Sequence, residues 1–244
     1  MRIAIVSDVH ANLPAFEAVL RHAEAGGALD AVWCLGDIVG YGPHPNECIE
    51  LLRSYAHRTV AGNHDLAACD RMGTEEFNAA AATAALWTTE QLSESSRAYL
   101  TGLTLVECEG VFTLVHGSLR SPEWEYLLSS EQAQAHLELQ RTPYGLVGHS
   151  HLPFVCREEP GRPPKVLRVG DGERVKLGDE RSILNPGGVG QPRDGDPRAS
   201  YALYDDVARI VSYHRVAYDI EATQRAMEAA GLPRWLCERL SYGR

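Results

Sequence analysis

The segment from Ala31 to Gly42 constrains the fold of this chain more than any other. Residues 31–35 form an apolar run that ends at Gly36, the pattern of a β-strand covered on both faces. Asp37 lies on the next loop. Because the end of a buried strand is held rigidly, a carboxylate there is well placed for chemistry. A single aspartate at such a position is more often a helix cap or a turn residue, so its significance depends on whether other strands also end in polar residues.

Three apolar runs near the start of the chain, at 2–6, 31–35 and 58–61, each lead into a polar loop. The first two continue into predicted helices, one capped by Asn12 and one opening at Pro45. Repeated strand–loop–helix units predict right-handed βαβ connections, a parallel sheet and therefore the α/β class. Ligands of such sheets bind beyond the carboxyl ends of the strands. The polar residues after these runs are therefore expected to converge.

The rest of the chain adds helices and a second set of strands. Residues 75–100 are rich in alanine and predict one or two helices, which either pack on the sheet or cover a site. Further helices are expected after Ser129 or Ser130 and from Asp219 and Pro233. Further strands are predicted at 103–108, 111–115, 144–147, 152–157, 165–169, 174–177, 182–184, 201–205 and 209–216.

Composition bounds the function. The chain has 244 residues, of which 44% are hydrophobic, and it shows no internal repeat or linker-like segment. We therefore predict a single domain over residues 1–244, with a helical insertion at about 70–102. The formal net charge of −10 argues against broad binding to nucleic acid or to anionic membranes. No apolar run is long enough to cross a bilayer and the first residues do not resemble a signal peptide, so we expect a cytoplasmic location.

The six cysteines are scattered and include no C-x-x-C pair. They are predicted to be reduced core residues, which argues against a zinc site built from thiolates. The sequence does not indicate an oligomeric state.

Metal-binding side chains come directly after five of the predicted strands. In chain order they are Asp8 and His10; Asp37; Asn63, His64 and Asp65; His116; and His149 and His151. Imidazole and carboxylate without thiolate suit Mn²⁺, Fe or Zn²⁺ better than Ca²⁺. The set is too large for one ion and about large enough for two.

Two metal ions about 3.5–4 Å apart can clamp the attacking and leaving oxygens of an in-line displacement at phosphorus. One carboxylate must then bridge them, and Asp37 is the candidate because it lies in the middle of the set. Two divalent ions bring about +4, two aspartates about −2 and a bridging hydroxide about −1, which leaves about +1 at the site. A locally positive site suits an anionic substrate such as a small phosphate ester.

The five blocks resemble those of the calcineurin-like metallophosphoesterase family. They are Asp8-Val-His10, Gly36-Asp37, Gly62-Asn-His-Asp65, His116-Gly117 and Gly148-His-Ser-His151. The loop Asn185-Pro-Gly-Gly also resembles the small bacterial phosphodiesterase branch of that family. The resemblance implies a four-layer α/β/β/α sandwich, in which two mixed sheets pack face to face with helices outside.

The resemblance also implies roles for the residues of the five blocks. The first metal would be held by Asp8, His10, Asp37 and His151, and the second by Asp37, Asn63, His116 and His149. His64 would stabilise the phosphoryl oxygens and protonate the leaving oxygen, and Asp65 would orient His64. The cofactors would be two divalent ions, with Mn²⁺ expected first and Fe or Zn²⁺ as alternatives.

One departure from the family pattern bears on the substrate. Tyr41 stands where the protein phosphatases and the diadenosine tetraphosphatases of this superfamily carry an arginine that grips phosphate. A monoester dianion needs an arginine fork more than a diester does, so a phosphodiesterase is favoured. Arg120 or Arg193 could still supply that fork, and Trp124 could shape specificity.

Two other functions remain as alternatives. One is a phosphomonoesterase or a nucleotide hydrolase of the diadenosine tetraphosphatase kind. The other is a non-catalytic scaffold that binds metal, against which the complete set of blocks argues.

Overall fold

The computed structural model describes residues 1–159 and 161–244. The strands are β1 (Arg2–Val6), β2 (Ala31–Cys34), β3 (His57–Thr59), β4 (Val106–Glu109), β5 (Phe112–Val115), β6 (Tyr144–Leu146), β7 (Phe154–Glu159), β8 (Arg162–Arg168), β9 (Arg174–Lys176), β10 (Ser182–Asn185), β11 (Ala199–Asp205) and β12 (Ile210–Val216). The helices are α1 (Leu13–Ala25), α2 (Pro45–Arg53), α3 (Asn63–Ala68), α4 (Ala79–Gln91), α5 (Glu94–Thr101), α6 (Ser130–Leu139), α7 (Ile220–Ala229) and α8 (Arg234–Glu238), with a 3₁₀ helix over Arg239–Tyr242 after them. None of the described helices is both long and apolar enough to span a bilayer.

The strands form two mixed sheets of six strands each, which confirms the predicted fold class. The first sheet has the order β3-β2-β1-β11-β12-β9, with β1, β2 and β3 parallel. The second has the order β4-β5-β6-β10-β7-β8, with β5, β6 and β10 parallel. Helices α1 and α2 cover the outer face of the first sheet, and α6 covers that of the second. The four layers are therefore α/β/β/α.

Strand β1 shows why the first runs are continuously apolar. Ile3 and Ile5 point into the core between the two sheets, whereas Ala4 and Val6 point into the core under the helices. Successive side chains of a strand face opposite sides, so a strand covered on both faces needs apolar residues at every position. This arrangement brings the chain, at the end of each such strand, to the same edge of the sheet.

Helix α1 begins as predicted, because the Asn12 side chain accepts a hydrogen bond from the Ala15 N–H. The segment from Gly62 to Asp65 differs from the prediction. It was expected to be a polar loop, but helix α3 starts at Asn63, and the Asp65 carboxylate accepts a hydrogen bond from the Gly62 N–H. An acid at the third helical position thus satisfies a backbone donor at the helix start.

Two other predictions concern the cysteines and the helical insertion. All six cysteines are free, but Cys108 is exposed on the edge strand β4 instead of lying in the core. A side chain on an edge strand is covered by only one neighbouring strand, so apolar periodicity overstated its burial. Helices α3, α4 and α5 lie between β3 and β4, and their status as an insertion into a single domain stays a prediction.

Candidate metal centre

The loops that carry the predicted ligands have an unusual backbone. Asp8, His10, Asp37, His149 and His151 have φ values of 55°, 49°, 53°, 61° and 58°. This left-handed region is uncommon for residues other than glycine and costs energy, so its concentration at five of the seven predicted ligands marks a functional site. Hydrogen bonds between the loops hold this backbone conformation. They include Asp8 N–H to Gly36 O (3.0 Å) and His10 N–H to Asp37 O (2.9 Å).

Two glycines let the loops approach one another closely. A Cβ on Gly36, whose φ is +92°, would lie 2.6 Å from the Gly62 nitrogen and 2.9 Å from Nδ1 of His116. A Cβ on Gly62 would lie 2.1 Å from Oδ1 of Asp37. The Gly–Asp and Gly–Asn–His–Asp blocks therefore need glycine because the facing loop and the side chains of Asp37 and His116 fill the space beside the backbone.

The side chains form two adjoining groups, and a third group of His10, Asp37 and His64 connects them. Ligand atoms of Asp8, His10 and His151 lie within 4.8 Å of one another, as do those of Asp37, His116 and His149. Within these groups, Oδ1 of Asp8 is 3.2 Å from Nε2 of His151, and Oδ2 of Asp37 is 3.3 Å from Nε2 of His116. Asp37 Oδ2 is also 3.8 Å from Nε2 of His10, which connects the two groups.

Several buried polar atoms in these groups have no hydrogen-bond partner among the described residues. They include both carboxylate oxygens of Asp8 and Oδ1 of Asn63. Nitrogens of two histidine pairs also face each other, His10 with His151 at 3.3 Å and His116 with His149 at 3.1 Å. Buried oxygens and facing nitrogens without partners are costly unless a cation lies between them. The residues present therefore fit divalent metal ions.

Each of the four histidines uses its other ring nitrogen on a backbone carbonyl. His10 Nδ1 lies 3.2 Å from Val39 O, His116 Nδ1 lies 2.7 Å from Leu35 O, and His149 Nε2 lies 3.1 Å from Trp124 O. His151 Nδ1 contacts the Gln191 carbonyl in the same way. A ring N–H that donates to a carbonyl leaves the opposite nitrogen unprotonated and aimed at the site, as metal ligation requires.

The pKa values of the buried acidic and histidine side chains of the site are shifted in different directions. Burial alone would raise the pKa of Asp37, but the charges of His116 and His64 outweigh it and hold that pKa well below its usual range. Burial lowers the pKa of His116, but Asp37 raises it more, to about 9. Burial and the charge of His116 lower the pKa of His149 to about 3. Asp37 is therefore ionised and His149 neutral at pH 7, the forms that bind metal. Without metal, His116 is protonated at pH 7 and would release that proton in order to bind a metal ion.

His64 lies over the two groups and is held by packing. Its backbone N–H donates to Oδ1 of Asp37 at 2.9 Å, and its ring lies 4.3 Å from the Tyr41 ring and 4.8 Å from the Phe77 ring between centroids. Nδ1 of His64 has no hydrogen-bond partner among the described residues. The expected contact with Asp65 is not made. The Asp65 carboxylate instead accepts from the N–H groups of Gly62 (3.0 Å) and Val39 (3.2 Å), so it joins the two loops.

A cavity of about 100 Å³ opens onto the site. Its walls include Asp37, Asn63, His64, His149 and His151 from the predicted site, together with Tyr41, Glu76, Phe77, Trp124, Tyr126 and Arg193. Tyr41 and Arg193, two of the predicted substrate contacts, therefore line this cavity. Arg120 lies elsewhere: it is exposed, its guanidinium pairs with Glu125, and the geometry gives no support to a substrate contact.

Sequence reasoning missed Tyr126, whose ring stacks on His149 at 4.1 Å. Phe77 and Trp124 contact each other at 5.2 Å across the cavity. Phe77 falls within the predicted helical stretch, but only the fold shows that it reaches the site.

Comparisons with known proteins agree with this geometry. The model of the calcineurin-like phosphoesterase superfamily domain matches residues 1–208. A crystal structure of a metallophosphoesterase from Sphaerobacter thermophilus is 47% identical, covers 100% of this chain and 99% of its own, and superimposes with a TM-score of 0.90. The uncharacterised protein MJ0912 of Methanocaldococcus jannaschii is 38% identical over 99% of this chain and 98% of its own. Phosphodiesterase YfcE of Escherichia coli is 28% identical over 87% of this chain and 92% of its own.

Proposed function

We propose that this chain, which belongs to the calcineurin-like phosphoesterase superfamily, is a phosphodiesterase that works with two divalent metal ions. Membership of the superfamily makes it a hydrolase that acts on phosphate esters and uses divalent metals. The observation that carries the proposal is the crowding of ligand atoms around Asp37. Two histidine pairs face each other through their ring nitrogens, and the buried carboxylate of Asp8 has no hydrogen-bond partner among the described residues.

The proposed ligand sets correspond to the two groups of side chains. Asp8, His10, Asp37 and His151 would hold one ion, and Asp37, Asn63, His116 and His149 the other, with Asp37 bridging. Mn²⁺ is the metal expected first, with Fe or Zn²⁺ as alternatives, because these ions share imidazole and carboxylate ligands. When bound, such ions supply an activated water and offset the charge of the phosphoryl oxygens.

The remaining chemistry falls to His64. Its position beside Asp37 and its unpartnered Nδ1 suit a side chain that contacts a phosphoryl oxygen and gives a proton to the leaving oxygen. Burial lowers the pKa of His64 to about 4, although Asp37 opposes the shift. The ring is therefore neutral at pH 7 before substrate binds, and an anionic phosphate beside it would raise its pKa and draw a proton to it. Asp65 supports this arrangement through the backbone of the two loops.

The preference for a diester rests on Tyr41. Its side chain is only 6% exposed and packs against His64 and His10, so this position offers a ring instead of a guanidinium fork to the phosphoryl group. The relative YfcE is named a phosphodiesterase, which supports the same preference for a diester. Arg193 favours the alternative, a monoesterase or nucleotide hydrolase, because it lines the cavity and could grip a second charge.

The test compares two chromogenic substrates after metal has been removed and Mn²⁺ restored. We expect faster Mn²⁺-dependent hydrolysis of bis-p-nitrophenyl phosphate than of p-nitrophenyl phosphate. Faster hydrolysis of the monoester would overturn the diester preference and assign Arg193 to the phosphoryl group. No hydrolysis of either, with two metals bound, would favour a non-catalytic scaffold or a substrate class narrower than aryl esters.

A further inference from the structure

Aromatic rings form a continuous arc in the lining of the cavity that opens onto the candidate metal centre. Centroids of neighbouring rings in this arc lie 4.3, 4.8, 5.2, 6.3 and 4.1 Å apart. In order along the aromatic arc, the rings belong to Tyr41, His64, Phe77, Trp124, His149 and Tyr126. Of the thirteen residues that line the cavity, four are Phe, Trp or Tyr, whereas these residue types make up 7% of the chain. The lining is therefore strongly enriched in aromatic surface.

The outer rings of the aromatic arc are only partly covered by protein. Tyr126 is 40% exposed, and Phe77 and Trp124 are half-buried. The Tyr126 ring stacks on the His149 imidazole with 10° between the two planes, so a ligand can stack only on its opposite face. Aromatic surface that stays open to water beside a polar cavity is typical of a ligand site, because a bound ligand removes that surface from water.

The loop that carries Trp124 and Tyr126 is held in shape by its own hydrogen bonds. The Ser118 hydroxyl donates to the Glu125 carboxylate and accepts from the Arg120 N–H at 3.1 Å. The Arg120 guanidinium pairs with the same carboxylate of Glu125. Rings that are fixed before a ligand binds lose little conformational entropy on binding, so they contribute more to affinity than mobile side chains do.

The aromatic arc adjoins the groups that are proposed to handle the phosphoryl group. Its ring His149 is a proposed metal ligand, and its ring His64 is the proposed proton donor. The Phe77 ring lies 4.8 Å from the His64 ring at 86°, and Trp124 contacts the other side of this pair through Phe77. A phosphate ester at the metal centre would therefore have aromatic surface within reach of its organic group.

We propose that Phe77, Trp124 and Tyr126 form a subsite for a planar aromatic group of the substrate, such as a nucleobase or an aryl ring. This inference rests on the proposed phosphodiesterase function and narrows its substrate class to phosphodiesters with at least one planar aromatic arm. Stacking on a protein ring raises affinity by about tenfold, and every base offers a π face, so the subsite selects planarity and not one particular base.

The test measures the affinity of two matched pairs of phosphonates for the Mn²⁺-loaded protein by titration calorimetry, since a P–C bond is not hydrolysed. Benzylphosphonate and cyclohexylmethylphosphonate differ in whether the ring is planar. The 5′-methylenephosphonate analogue of thymidine monophosphate and its 5,6-dihydro form differ in the same way in the base. We expect the planar member of at least one pair to bind about tenfold more tightly. Equal affinity within both pairs would overturn the subsite.

The two pairs also identify the source of the aromatic group. A preference in the nucleoside pair assigns the subsite to a nucleobase, and a preference in the benzyl pair alone assigns it to an aryl ring next to the phosphorus.

Variants locate the effect. Tyr126→Leu and Trp124→Leu keep an apolar side chain but remove a ring, so they should lose most of the preference for the planar ligand. Tyr126→Phe keeps the ring and should keep the preference. Tyr242→Leu and Trp235→Leu are the matched controls, because these side chains are 62% and 55% exposed and do not line the cavity. A preference that survived both Tyr126→Leu and Trp124→Leu would refute the assignment.

Kinetics and metal content separate recognition from the geometry of the metal ligands. With bis-p-nitrophenyl phosphate, Trp124→Leu should raise KM by about tenfold, leave kcat near that of the parent and keep the metal content measured by elemental analysis. A lower kcat with an unchanged KM would show that the ring positions His149 and does not bind substrate. If the parent hydrolyses no diester, the proposed function fails, and calorimetry still decides on the subsite because it needs no turnover.

Discussion

The two ends of the β-sandwich differ in whether their buried polar atoms have hydrogen-bond partners. At the amino ends of the parallel strands a groove of about 290 Å³ is lined by Trp33, Phe112 and Tyr204. It is larger than the cavity of about 100 Å³ at the carboxyl ends. Yet none of the unpartnered buried side-chain atoms found in the described part of the chain belongs to a residue of the groove. Charged groups there have partners: Arg58 pairs with Glu109 at 2.6 Å, and the Asp30 carboxylate accepts a hydrogen bond from the Arg2 N–H.

At the carboxyl ends the reverse holds. The backbone is left-handed at five proposed ligands, and Asp8, Asn63 and His64 keep buried polar atoms without partners among the described residues. Each such atom costs about 1–3 kcal/mol, and each strained residue a comparable amount. A fold tolerates such costs where a ligand offsets them. The comparison teaches that buried polar atoms without partners and strained backbone, more than cavity volume, identify the functional end of this molecule.

The largest effect is expected from Asp37→Asn, which removes the carboxylate shared by both groups of ligands. The variant should lose metal at both positions and, with it, phosphodiesterase activity by several orders of magnitude. Elemental analysis of the purified protein measures the first loss. Thermal unfolding measures it independently: at Mn²⁺ concentrations of 100 times Kd the parent should gain about 2.7 kcal/mol for each of the two sites and the variant almost nothing. Full occupancy of two metals in the variant would rule out bridging by Asp37.

A smaller effect is expected from His64→Ala, which removes an imidazole but no proposed ligand. Loss of a positioned proton donor should lower kcat by about 10²–10⁴ while metal content is unchanged. His57→Ala is the matched control at the opposite end, since His57 is partly buried beside the groove and its Nδ1 donates to the Tyr55 carbonyl. Near-normal turnover in metal-loaded His64→Ala would remove His64 from the mechanism.

The sequence predicted the fold and the convergence of the ligands because both depend on local patterns. The continuous apolar runs predicted strands that are covered on both faces. The polar residues after these strands were therefore expected to meet at one edge of the sheet. The start of α3 was missed because its N-cap residue is Gly62, at a position where serine or threonine would be the usual signal, and the Asp65 side chain binds the Gly62 N–H instead. The same carboxylate was assigned to His64, although two backbone N–H groups already occupy it.

Contacts between distant parts of the chain could not be predicted in this way. Tyr41 packs in one cluster with Ala84 of α4 and with Leu236 and Leu240 near the end of the chain. No periodicity within any of these segments indicates that they meet. The stacking of Tyr126 on His149 depends likewise on a loop path that only the folded chain defines.

The smallest effect on activity is expected at the groove, from Phe112→Ala. The Phe112 ring lies 5.3 Å from that of Trp33 and 5.0 Å from that of Tyr204, and it is 2% exposed. Its removal should cost about 3–5 kcal/mol in the free energy of unfolding, because a cavity replaces these contacts. Denaturant unfolding measures that loss, and kcat at a temperature where the variant is folded should stay near that of the parent.

Val111→Ala supplies the control for that substitution, since the neighbouring Val111 is 45% exposed and its loss should change stability little. The groove and the site are joined by the same strands, because β2 carries Trp33 and leads directly to Asp37. If Phe112→Ala lowered kcat of the folded, metal-loaded protein as much as His64→Ala does, the geometry of the ligands would depend on packing at the far end of the sheet. An unchanged kcat together with a lower stability would instead show that the groove stabilises the fold and that the chemistry belongs to the carboxyl ends alone.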